Sequence, residues 1–242
     1  MIGADTDELS RCMLPESEET AMSANNDDRQ LVESYLNLRR GVGLLGVALP
    51  VILPFGVLFL GSSRVLQESI SDYHGTVMKG VFVGALFAIG MFLFSYAGYE
   101  PSADKKWYEP SDNLAGHFAG VFALGVALFP VTSDSGLVRI IHFVSAGLLF
   151  LTLWYFSVYL FTKTKAGGTP SQEKKNRNKI YVFCGWLILA CIALIAIYGL
   201  LPDDNSIAAI KPVFWLESIA LWAFGASWFI KGDTLFKDPL HR

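Results

Sequence analysis

The chain has 242 residues, 52% of them from the set Ala, Val, Ile, Leu, Met, Phe, Trp, Tyr and Cys, with 17% charged and a formal net charge of −3. Ordinary soluble domains carry about 25% charged residues. A mean hydropathy of +0.41, reached despite a polar N-terminal stretch, excludes a disordered chain and a secreted disulfide scaffold. A pI near 5.8 excludes a nucleic-acid binder, because no overall basic field meets a phosphate backbone. What remains is an all-α, polytopic membrane protein.

Residues 1–40 hold no apolar core of a signal peptide; the strings DTDELSR, PESEE and NNDDRQ are acidic and polar. They predict a disordered acidic cytosolic tail, with a short amphipathic helix at its end over 27–40. A bilayer core about 30 Å thick needs about 20 apolar residues of helix. Six runs qualify, at roughly 41–61, 76–99, 113–132, 138–161, 180–201 and 212–230. They predict a six-helix transmembrane bundle over 41–230, followed by a cytosolic tail at 231–242. Lys and Arg flank alternate span ends: Arg39 and Arg40, Lys105 and Lys106, the basic loop 163–179, and Lys231, Lys237 and Arg242. That bias places both termini in the cytoplasm.

Within the spans, Pro50 and Pro54 predict a bend in the first. Gly80 with Gly84, and Gly116 with Gly120, form GxxxG pairs whose faces suit helix packing or an oligomer contact. The loop KTKAGGTPSQEKKNRNK reads as a flexible linker facing anionic lipid. Tyr155, Tyr159, Trp215 and Trp228, together with Trp107 and Tyr108, read as interfacial belts. Cys184 and Cys191 are seven helical residues apart, about 10 Å, which is too far for a disulfide. Cys12 lies in the polar tail.

Three charges stand inside the predicted spans: Lys79, Arg139 and Glu217. Glu217 is the most costly, and Arg139, then His142, are its expected partners. Ser69, Ser71, Asp72 and His74 before span 2, Asp134 after span 3, Arg139 and His142 in span 4, and Glu217 in span 6 all fall at one membrane level. They predict an outward-facing polar pocket for a lipid headgroup or small solute, with Asp72, His74, Arg139, His142 and Glu217 as binding residues. Asp72 also suits a cap for span 2. No cofactor is expected under this reading, and membrane lipids are the expected partners. A rival is a metal-dependent hydrolase of a lipid amide or ester, with zinc on His74, His142 and Asp72 and with Glu217, Ser71 and Asp72 as catalytic candidates. A further rival is a transporter or channel using Glu217 as a proton or ion relay. On the opposite side, His117 between Gly116 and Gly120 predicts a helix crossing with one hydrogen bond.

The strings SISDY, VFVGALFAIGMFLFSYAGY, ALFP and IHFVSAGLLF resemble a large family of bacterial six-helix membrane proteins defined only by a domain of unknown function. The resemblance covers about residues 41–230 and rests on Ser69, Ser71, Asp72, Phe129, Pro130 and His142. It implies a bacterial inner-membrane location and no particular activity. A more distant likeness is to the ceramidase and progestin-receptor-type membrane hydrolases, through Ser71, Asp72, His74 and His142. The late His-x-x-x-His pair of those hydrolases is not present here.

Overall fold

The computed structural model describes residues 16–61, 65–96, 112–164, 170–202 and 206–232. Among them the structure is helical, with no strand. Six α-helices follow one another: α1 (Glu16–Leu60), α2 (Lys79–Phe94), α3 (Asp112–Leu128), α4 (Gly136–Tyr155), α5 (Gln172–Tyr198) and α6 (Pro212–Lys231). Each packs on the next, and α6 returns to pack on α1, so the helices close a ring.

The predicted apolar runs coincide with the helices, but the ends differ in informative ways. The tail expected to be disordered over 1–40 is helical from Glu16 onward; residues 1–15, with Cys12, lie outside the described residues. Between Glu16 and Arg40 the sequence has neither Gly nor Pro, and its Glu, Ala, Leu and Gln are good helix formers. The linker expected to be flexible over 163–179 is helical from Gln172. Ser171 caps that helix, its Oγ accepting from Lys174 N at 3.0 Å. Ser171→Ala should cost about 1 kcal/mol, read as an earlier thermal unfolding midpoint in detergent.

Four stretches are long and apolar enough to cross a membrane: Arg29–Leu60, Gly136–Leu160, Gln172–Tyr198 and Pro212–Lys231. The 16 residues of α2 and 17 of α3 are shorter than the runs predicted at 76–99 and 113–132. At 1.5 Å per residue they extend about 24–26 Å, a little under a hydrocarbon core. Before α2 the chain forms a tight 3₁₀ turn at Ser71–Gly75. Pro130 ends α3, because it has no N–H to continue the helix. Past Tyr155, α4 widens into a π turn over Phe156–Leu160, closed by Phe161 N donating to Phe156 O at 2.9 Å.

Small residues set the closest helix approaches, as expected where lipid gives no hydrophobic drive between helices. At the α1–α6 seam, a Cβ on Gly43 would lie 2.8 Å from Gly225 O, and one on Gly225 would lie 2.7 Å from Gly43 O. Gly116 and Gly120 meet the backbone of α2 at Leu93 O and Gly90 O. Their face therefore packs on α2 within the chain. A Cβ on Gly80 or Gly84 would meet nothing within 4 Å beyond the helix's own backbone.

The ring is filled by Leu53, Leu93, Ala119, Ala123, Phe156 and Ile188, all fully buried. Cys184 and Cys191 are buried and unbonded to each other. Its periphery exposes Phe59, Phe118, Phe143, Phe183 and Trp186, an apolar surface compatible with a membrane. Trp215 and Tyr159 are among the exposed residues, but Trp228 is 2% exposed. It stacks in the core against Tyr96, Phe156, Phe161 and Phe224, which corrects its reading as a belt residue. Trp107 and Tyr108 lie outside the described residues.

Candidate functional site

The residues singled out for a polar pocket do gather at one end of the ring, formed by the loop from 65 to 78, the exit of α3 and the starts of α4 and α6. We call this the lid end. Its centre is a two-way clasp between the loop and α6. Helix α6 starts at Pro212, a good first helical residue, after Lys211 in a left-handed conformation with φ 55°. Its early amide Phe214 N donates to Glu68 O at 2.9 Å. In return Ile70 N donates to the Glu217 carboxylate at 2.6 Å. The Lys211 ammonium pairs with the Glu68 carboxylate.

Glu217 therefore has backbone partners, not the Arg139 or His142 that its sequence suggests. Arg139 is exposed in the first turn of α4, and Lys79 is the exposed first residue of α2. Neither charge is held inside the ring. Asp72 does not cap α2 either. Its carboxylate accepts from Ser69 Oγ at 2.8 Å, and its own N–H donates to Ser69 Oγ at 3.1 Å. Helix α2 has no side-chain cap; in the turn before it the Thr76 hydroxyl accepts from Met78 N and donates to Tyr73 O.

His142 serves the end of α3. The last carbonyls of a helix have no partner within it, and Pro130 supplies no donor. His142 is 1% exposed and its Nδ1 donates to Phe129 O at 2.6 Å. His74 is buried, edge-on to Phe82. Burial first, then the nearby Lys79 charge, holds the His74 imidazole below its ordinary range. A buried histidine that resists protonation destabilises the fold as pH falls below its unfolded value of about 6.5.

His74 and Asp72 lie close enough to His142 for their charges to act on it. Yet among the described residues no three His, Cys, Asp or Glu side chains come together closely enough to hold a metal ion. Beside the same loop lies an apolar hollow of about 210 Å³, lined by Pro54, Phe55, Val57, Leu58, Leu66 and Tyr73.

The opposite end of the ring holds a charged cluster that a reading of the sequence misses. Asp112, 3% exposed, opens α3 and accepts from Lys163 Nζ at 2.5 Å. Arg177, 8% exposed, stands on the second turn of α5. Lys174 Nζ donates to Phe161 O at 2.8 Å. Lys231 ends α6 and sits 5.4 Å from the Phe161 ring centroid. Arg39 stacks on Tyr35 at 4.2 Å and reaches Tyr96 at 5.7 Å. The one available signal was Lys174 and Arg177 at i, i+3, which share a helix face. His117, expected to bond across a crossing, is exposed beside Phe94. Tyr99 and Glu100 lie outside the described residues.

Comparison with known proteins finds no matching family model, no matching curated protein and no matching solved structure.

Proposed function

We propose that this chain is a six-span integral protein of the cytoplasmic membrane, with both termini in the cytoplasm, that binds a membrane lipid at its lid end. The observation that carries this reading is the apolar hollow against the polar loop. An amphipathic ligand needs both kinds of surface side by side. Ligand pockets for whole drug-sized molecules occupy about 300–1,000 Å³. At about 210 Å³ the hollow suits a segment of acyl chain, with the headgroup against Asp72, Glu68 and Lys211 of the lid. The six consecutive helices of the ring are consistent with six crossings, and the Lys and Arg bias of the alternate ends favours this orientation.

Catalysis is not part of this reading, because Glu217 and Asp72 are each engaged in holding the loop. Leu58 lines the hollow and is 44% exposed, so Leu58→Trp fills it without disturbing the core. Native mass spectrometry of the detergent-purified protein should show a lipid retained one per chain, and Leu58→Trp should remove it. Equal lipid retention in the two proteins would overturn the reading.

A further inference from the structure

The lid-end hollow lies between the last two turns of α1, at Pro54, Phe55 and Leu58, and Val65, Leu66 and Tyr73 of the loop. Phe55 is 55% and Val65 63% exposed, so the hollow opens sideways onto the apolar periphery. Its apolar walls end where three charged groups follow one another along the loop. The Lys211 ammonium pairs with Glu68. Glu68 precedes Ser69, whose Oγ donates to Asp72 Oδ2 at 2.8 Å. Asp72 precedes Tyr73, and its charge reaches the Tyr73 phenol in the wall of the hollow.

Two carboxylates against one ammonium leave one negative charge at this mouth. Lys211 and Glu68 offset each other. Among the described residues the half-buried Asp72 carboxylate has the Ser69 hydroxyl as its partner and no cation. The other described cations of this end bear elsewhere: Lys79 acts on His74, and Arg139 is exposed in the first turn of α4. The remaining charge repels an anionic headgroup and favours one that brings a cation. A primary ammonium also brings three N–H donors, and a carboxylate has acceptor sites beyond the one Ser69 uses. A quaternary amine brings charge without a donor. Lys211, the one cation of the mouth, matches the phosphate of such a headgroup in sign.

We propose that the lid-end hollow selects a zwitterionic phospholipid with a primary ammonium headgroup, its ammonium on Asp72 and its acyl chain in the hollow. The proposal rests on the reading of the hollow as a lipid site. The test uses the full chain in detergent. Phosphatidylethanolamine, phosphatidylcholine and phosphatidylglycerol with identical acyl chains are titrated by native mass spectrometry. Phosphatidylethanolamine should bind about fivefold more tightly than either of the others, the upper end for one part-exposed ion pair. Asp72→Asn keeps an acceptor for Ser69 and should bring the three lipids to equal affinity. Glu68→Gln leaves the Ser69–Asp72 bond in place and removes one negative charge. It should tighten phosphatidylglycerol binding by a similar factor and leave the preference for ethanolamine over choline unchanged. Thermal unfolding of each variant separates lost binding from lost fold.

Equal binding of the three lipids, or an ethanolamine preference that survives in Asp72→Asn, would overturn the proposal. If Leu58→Trp still abolishes binding in that case, the hollow stands as a lipid site and the headgroup assignment alone falls. If Leu58→Trp leaves binding intact, the reading of the hollow falls and the proposal with it.

Discussion

Gly225→Leu should separate the first helix from the last and lower stability markedly. The reason is where the new atoms fall. A Cβ at Gly225 would stand 2.7 Å from Gly43 O and 3.1 Å from Val47 N. Both are backbone atoms of α1, which cannot rotate aside as a side chain can. Overpacking a well-filled site costs about 1–3 kcal/mol, and the backbone contact places this case at the upper end. The same contact orients Trp222, whose indole donates to Val47 O at 3.1 Å, so that bond should weaken too. Gly84→Leu is the control. A Cβ at Gly84 would meet nothing within 4 Å beyond its own helix, and surface changes of this kind stay within about 0.5 kcal/mol. Thermal unfolding followed by tryptophan fluorescence in detergent reads both.

Glu217→Leu should release the lid loop while leaving the ring closed. Ile70 is 4% exposed, and its N–H loses its acceptor when the carboxylate goes. An unsatisfied buried donor costs about 1–3 kcal/mol, and more when the lost partner is charged. Glu217→Gln keeps one acceptor oxygen and should cost less. Hydrogen exchange should show the difference locally. Amides 70–72 should exchange faster in Glu217→Leu than in Glu217→Gln, with the α1–α6 seam unchanged in both. Fast exchange across the whole chain would mean that Glu217 supports the ring itself and not the loop.

The six helices were legible because desolvation forces apolar residues and charges apart along the chain. Their limits were less so. Helix α5 extends two turns into a basic stretch because Ser171 caps it, and a run such as EKKNRNK looks like a solvated linker unless the cap is given weight. The importance of Glu217 was legible from its cost. Its partner was not, because a backbone N–H has no letter in the sequence. The same blindness explains the histidines. His74 and His142 look like ligands or acid–base groups, yet His142 answers the free carbonyl of Phe129 just past the end of α3, and His74 packs edge-on to Phe82. The charged end was hidden because Arg39, Asp112, Arg177 and Lys231 come from four separate segments. Only the closure of the ring brings them together.

That closure is the central claim, and one crosslink tests it most directly. Arg40 Nε donates to Gly232 O at 2.9 Å, and a Cβ on Gly232 would lie 2.8 Å from Arg40 Cγ. Two cysteines at these positions approach the Cβ separation of about 3.8 Å that a disulfide needs. In a chain whose three native cysteines are replaced by alanine, Arg40→Cys with Gly232→Cys should form an intramolecular disulfide on mild oxidation, seen as a faster-migrating monomer. A pair that stays reduced, or that links only between two chains, would contradict a ring in which the last helix returns to the first.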